Sequence, residues 1–187
     1  MPAIITTQAI RNLTLSAPGM PPLLTINAGT LQVYGTITRT GGTINGSNGT
    51  VEMKGNVAQS IPASLFQTNN LKNLIVSNSD AVSGVTLGGT LDIYRSLTFG
   101  AGGRRLATGG FLTFKSTATE TAWLGQMLGT NVIVGDATIE RYIPLHTKAW
   151  QFLSTPITAA STQTVKQAWQ EGAAVANGNP VPGFGTM

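Results

Sequence analysis

Between Leu24 and Val51 the apolar residues Leu24, Leu31, Ile37, Ile44 and Val51 follow one another at intervals of 7, 6, 7 and 7. Turn-forming residues occupy the gaps: Asn27-Ala28-Gly29, Gly35, Gly41-Gly42, and the run Asn45-Gly46-Ser47-Asn48-Gly49. Around the anchors polarity alternates, as in Leu24-Thr25-Ile26, Leu31-Gln32-Val33 and Val51-Glu52-Met53, which is the period of a strand with one face buried. Segments this short do not overcome the nucleation cost of a helix. The pattern predicts a succession of short strands.

If each anchor marks one side of a three-sided coil, three intervals complete a turn, and Leu24 to Ile44 sets its length at 20 residues. The motif Gly-Thr-apolar recurs at Gly29-Thr30-Leu31, Gly35-Thr36-Ile37, Gly42-Thr43-Ile44, Gly49-Thr50-Val51 and Gly89-Thr90-Leu91. A motif that returns in this way points to stacked, equivalent turns. The competing architecture, a sandwich of antiparallel hairpins, calls for strands spaced by about 8–12 residues, longer than the beat seen here. The expected fold is therefore all-β: a parallel β-helix, or solenoid, with short Gly-rich turns.

Upstream, Leu13-Thr14-Leu15 reads as one strand before the turn group Ala17-Pro18-Gly19 and Pro21-Pro22. Gly55 to Asn70 interrupts the beat and reads as an insertion or elongated turn, with Gln59-Ser60-Ile61-Pro62 extended and Ala63-Ser64-Leu65-Phe66 a helical turn or an apolar plug. Strands resume at Leu71 to Val76 and continue through Val85-Thr86-Leu87, Leu91-Asp92-Ile93, Leu97-Thr98-Phe99, Leu106 and Phe111 to Phe114. The residues expected inside are Leu24, Leu31, Ile37, Ile44, Val51, Leu74, Val76, Leu87, Leu91, Ile93, Leu97, Phe99, Leu112 and Phe114. After Asp136 the texture changes. Tyr142, Trp150, Phe152 and Trp169 cluster late in the chain, and Val165 to Glu171 carries a short helical pattern. Residues 1–136 are thus assigned to the repeat region and 137–187 to the start of a second β-rich module with one helix near 165–171.

Composition sharpens this picture in one respect. Only 10% of the residues are charged, while Gly numbers 23 and Thr, Ser and Asn fill the polar positions. Neutral hydroxyls and amides suit a stacked sheet, where like charges on adjacent turns would repel. The net charge of +4 and pI near 9.8 come from scattered basic residues, with Arg104-Arg105 the one adjacent pair, so no nucleic-acid partner is expected. Cysteine is absent, which excludes disulfides and thiolate chemistry. Neither a membrane span nor a signal peptide is legible at the N-terminus.

Chemistry is sparse. Lyases and hydrolases of carbohydrate need paired carboxylates, or a carboxylate-bound calcium beside a base. The best set available is Glu52 and Asp92, both expected to project outward from one face, with Lys54 and Arg95 beside them; the bland alternative is mutually compensating surface charge. His146 is the single histidine and sits in Pro144-Leu145-His146-Thr147, a turn without a nucleophile elbow nearby. Trp150-Gln151-Phe152 could present an aromatic face to a sugar ring, although core packing is the commoner use of such residues. The glycine turns lack the aspartates of calcium-binding repeats and form no phosphate loop. No catalytic residue, metal ligand or cofactor is assigned; Glu52, Asp92, Trp150 and Phe152 are the candidate glycan contacts.

The run Gly49-Thr50-Val51-Glu52-Met53-Lys54-Gly55, followed by Gln59-Ser60-Ile61-Pro62, Phe66 and Asn70-Leu71-Lys72-Asn73-Leu74-Ile75-Val76, resembles repeat regions of large secreted proteins of Bacteroidetes that carry a type IX secretion sorting domain. Ile139-Glu140-Arg141-Tyr142-Ile143-Pro144, Lys148 to Ser154, Ala168 to Gly172 and Gly183-Phe184-Gly185-Thr186 are similar to the segment that follows such repeats. The resemblance implies a fragment of a longer, secreted or cell-surface protein with a structural or adhesin-like role and no catalytic motif to carry across. Expected partners are surface glycans or neighbouring surface proteins, together with end-to-end self-association through open terminal strands. The alternative reading is a carbohydrate-binding or polysaccharide-degrading β-helix module.

Overall fold

The computed structural model describes residues 2–16 and 23–143. They belong to one compact unit, Met1–Pro144; the second unit, Leu145–Met187, lies outside the described residues, and with it fall His146, Trp150, Phe152 and the expected helix. Among the described residues there is no helix, and every pairing between named strands is parallel. The chain forms a β-solenoid of about six turns.

Turn one holds β1 (Ala3–Ile4), β2 (Thr7–Ile10) and β3 (Leu13–Leu15), turn two β4 (Leu23–Val33) and β5 (Ile37–Arg39), and turn three β6 (Thr43–Met53) and β7 (Gln59–Ile61). Turn four holds β8 (Phe66–Val76) and β9 (Val85–Leu87), and turn five β10 (Leu91–Phe99) and β11 (Arg105–Ala107). Turn six holds β12 (Leu112–Phe114), β13 (Trp123–Leu124) and β14 (Val132–Val134), after which β15 (Ala137–Ile139), drawn from the start of the expected second module, pairs with β12. One nine-stranded sheet runs β1-β4-β6-β8-β10-β12-β15, with β2 also on β4 and β13 also on β10. The short strands form two further ladders, β3-β5 and β14-β11-β9-β7.

The long strands are bent, and this gives the turn its three sides. Register shifts fall at Thr25 to Thr30 in β4, at Ile44 to Thr50 in β6 and between Ile93 and Ser96 in β10. In turns one and six the same two arms occur as separate strands, β1 with β2 and β12 with β13. The bends coincide with the Asn-Ala-Gly and Asn-to-Gly49 groups that read as turns. Ala28 (φ 64°) takes left-handed backbone at its bend, as do Thr68 (φ 53°) and Asn69 (φ 62°) at the equivalent place in β8. At Gly29 no side chain fits: a Cβ would stand 2.5 Å from the Thr6 carbonyl oxygen and 2.8 Å from that of Ile4.

The 20-residue repeat holds where it was read, since Leu24 pairs with Ile44 and Leu31 with Val51. Elsewhere turns lengthen, up to Leu97 facing Leu124, 27 residues on. The Gly-Thr-apolar motif marks corners. Gly29-Thr30-Leu31 and Gly49-Thr50-Val51 stack in register, and the other copies open β5, β6 and β10. In each, glycine makes the corner, threonine faces outward or along the ladder, and the aliphatic residue points in.

The interior consists of aliphatic columns. Leu31, Val51, Leu74 and Leu97 face one another turn upon turn, as do Val33, Met53, Val76 and Phe99, with neighbours about 4.8 Å apart along the axis. Of the fourteen residues expected inside, twelve lie in the buried cluster, while Leu24 and Phe99 are half-buried against it. Gly55 to Asn70 is no insertion. Gln59–Ile61 is the short strand of turn three, paired with β9, and Leu65 and Phe66 plug the core without forming a helix.

Candidate functional site

Alternation in Val51-Glu52-Met53 buries Val51 and Met53 and turns Glu52 outward, yet Glu52 is only 9% exposed. Neighbouring turns close over it: Gln32 Nε2 donates to its Oε2 at 2.7 Å and Ser77 Oγ to its Oε1 at 2.6 Å, while Lys54 Nζ lies 3.8 Å away. Lys54 also sits 5.8 Å from the centre of the Tyr34 ring. This carboxylate joins turns two, three and four.

Asp92 does not share its face. Register sets Glu52 against Ile75 and Ile75 against Thr98 on the second arm of β10, whereas Asp92 is on the first arm, against Asn70 and Thr113. Two turns, roughly 9.5 Å along the axis, and a bend separate the carboxylates, so no acid–base pair is assembled from them. Arg95 stands at the bend, paired with Glu120 at 3.9 Å, both exposed. Lys115 hydrogen-bonds to Glu140 of the following turn. That bond first, and the charges of Glu140 and Asp92 after it, hold the Lys115 ammonium above the ordinary lysine range against a smaller opposing effect of burial. Trp150 and Phe152 lie outside the described residues. Among the described residues no group of three or more His, Asp or Glu side chains is placed to hold a metal ion.

Two buried polar clusters went unread in the sequence. Gln59, 4% exposed, accepts from Gly55 N at 2.9 Å and Asn78 Nδ2 at 2.8 Å, and donates through Nε2 to Val33 O at 3.0 Å and Gly35 O at 2.7 Å. Asn78, fully buried, also donates to Val57 O at 2.8 Å and accepts from Asp80 N at 2.8 Å. The sequence reads Gln59-Ser60-Ile61-Pro62 only as extended; strand alternation puts Gln59 on the side of Ile61, and that was the available signal. Thr108, the other cluster, donates to Asp136 O at 2.7 Å and accepts from Gly110 N at 3.3 Å.

Beside the Glu52 staple a groove of about 1020 Å³ follows the corner between the second arm and the short strands. One wall is a column of outward residues, Arg11, Tyr34, Lys54 and Ser77, one from each of turns one to four. Backbone bonds from Tyr34 N to Ile10 O, Lys54 N to Val33 O and Ser77 N to Met53 O keep them in register. Gly35 and Gly55 line the groove between this wall and Thr36, Val57 and Arg104. Among the described residues its lining includes three cationic side chains and no carboxylate.

These features define the class, a parallel β-solenoid with side-chain links between turns and one basic corner groove. No protein-family model, curated protein or solved structure matches the chain. Its function is therefore read from its own residues.

Proposed function

We propose that the chain is a non-enzymatic structural or adhesive segment of a secreted or cell-surface bacterial protein, of the kind its repeats resemble. The observation that carries the reading is that polar side chains on the outside bond along the axis to the next turn. Asn48 donates to Asn27 at 2.6 Å and Lys72 to Asn48 at 3.1 Å; Ser96 donates to Asn73 at 2.8 Å and Asn73 to Thr50 at 3.3 Å. Together with the parallel backbone ladder, these bonds resist separation of the turns. A stalk or spacer needs that property, and catalysis does not. Separation of Glu52 from Asp92 weighs in the same direction.

The mechanical role is tested by pulling the full chain between handle domains in a force spectrometer. Turns of 20 to 27 residues release roughly 70–95 Å each when extended. Force peaks spaced by that length, or one peak releasing all six turns, support the reading; a featureless extension sinks it. The surface assignment is tested by locating the native product with an antibody to residues 23–143. Recovery from the cytosol alone contradicts it.

A further inference from the structure

We infer that the corner groove binds a linear anionic glycan carrying a carboxylate or sulfate on alternate sugar rings, an inference that rests on the adhesive form of the proposed function. Three observations lead there. First, the cations are spaced along the axis: Arg11 belongs to turn one, Lys54 to turn three and Arg104 to the linker before the short strand of turn five. Successive charges are thus roughly 9.5 Å apart along the axis. Each strand of a DNA duplex carries a charge about every 3.4 Å, far denser than this array, whereas a polysaccharide charged on every second ring is sparse in the same way. Second, the cations are left with capacity for an anion. Among the described residues Arg11 and Arg104 form no ion pair, Arg11 is exposed, and Lys54 meets Glu52 only at 3.8 Å.

Third, the surfaces between the charges suit sugar. Tyr34, 43% exposed, stands between Arg11 and Lys54 on the groove wall and offers an aromatic face to a pyranose ring. Asn12, Thr36, Asn56, Ser77 and Ser79 supply hydroxyl and amide groups for ring hydroxyls. Gly35 and Gly55 let neighbouring turns approach closely at this corner, where a Cβ at Gly55 would stand 2.7 Å from the Gln59 side chain and 2.8 Å from the Tyr34 carbonyl oxygen. One aromatic ring across the groove is too few for a stacking platform that reads successive bases.

The test is titration calorimetry of the full chain with a hyaluronan octasaccharide, charged on alternate rings. Neutral cellohexaose and a single-stranded oligothymidylate of twenty nucleotides serve as comparisons. Hyaluronan is expected to bind, and to be released as salt rises from 0.05 M to 1 M and the screening length falls to about 3 Å. Arg11→Gln with Lys54→Gln, and separately Tyr34→Ala, should each weaken it about tenfold or more while far-UV circular dichroism and the urea midpoint stay near those of the parent. Absence of hyaluronan binding, equal binding by both variants, or tighter binding of cellohexaose or the oligonucleotide overturns the inference. A chain that fails this test but shows the force peaks above keeps its structural role without this ligand. A chain that binds hyaluronan but extends without a peak keeps the ligand and loses the stalk.

Discussion

Replacing Gln59 by Leu removes four hydrogen bonds from the interior while nearly keeping the volume. Val33 O retains the ladder bond from Lys54 N at 2.8 Å, and Asn78 Nδ2 retains Val57 O at 2.8 Å. Gly55 N and Gly35 O have no other partner among the described residues. Leaving the buried Gly55 N bare costs about 1–3 kcal/mol and the part-buried Gly35 O about 1 kcal/mol, and the added leucine methyls offset about 1–2 kcal/mol. The expected net loss is about 0–3 kcal/mol, centred near 1.5 kcal/mol. Urea unfolding followed by circular dichroism measures it, with exposed Gln67→Ala as a control expected within about 0.5 kcal/mol of the parent. A stacked array need not unfold in one step, so hydrogen exchange over residues 33–59 is read alongside and should quicken locally. Asn78→Leu combined with Gln59→Leu should cost less than the two separately, because the variants share a lost bond. A loss below about 0.5 kcal/mol for Gln59→Leu, with exchange unchanged, would refute the claim that this amide ties turns two, three and four together.

Leu74, fully buried between Val51 and Leu97, should lose about 2–5 kcal/mol on replacement by Ala, read from the urea midpoint. Half-buried Phe99 should tolerate Asp better than Leu91 does, and an equal loss at both would contradict the observed burial. Thr68 is a β-branched residue in left-handed backbone, φ 53°, with its hydroxyl bonded, among the described residues, only to the adjacent Gln67 carbonyl. Thr68→Gly should raise stability by about 0.5–1 kcal/mol, strain relief outweighing the added freedom of the unfolded chain; a lower midpoint speaks against strain there. Lys115 has its folded pKa raised, so its contribution is complete below the unfolded value near 10.4 and is lost as pH rises through the folded one. The pair is partly exposed and worth about 0.2–1 kcal/mol. Between about pH 9 and pH 11.5 the parent should lose that much more stability than Lys115→Met, and parallel pH profiles would show the bond to be without effect.

Much of this architecture was legible because its determinants are local. Period-2 alternation decides which side chains of Leu31-Gln32-Val33 or Val51-Glu52-Met53 point inward, and Gly-Thr pairs mark corners because few residues other than glycine fit there. Leu24 to Ile44 measured one turn correctly for the same reason. Which residues meet across turns is different, since it depends on the summed lengths of every loop between them. The fourfold use of the Gln59 amide, the closure of Gln32 and Ser77 over Glu52, the separation of Glu52 from Asp92 and the alignment of Arg11, Tyr34 and Lys54 along one groove all follow from register between segments 20 to 27 residues apart. Local sequence determines the face a side chain takes; only the stacked turns decide its neighbours on that face.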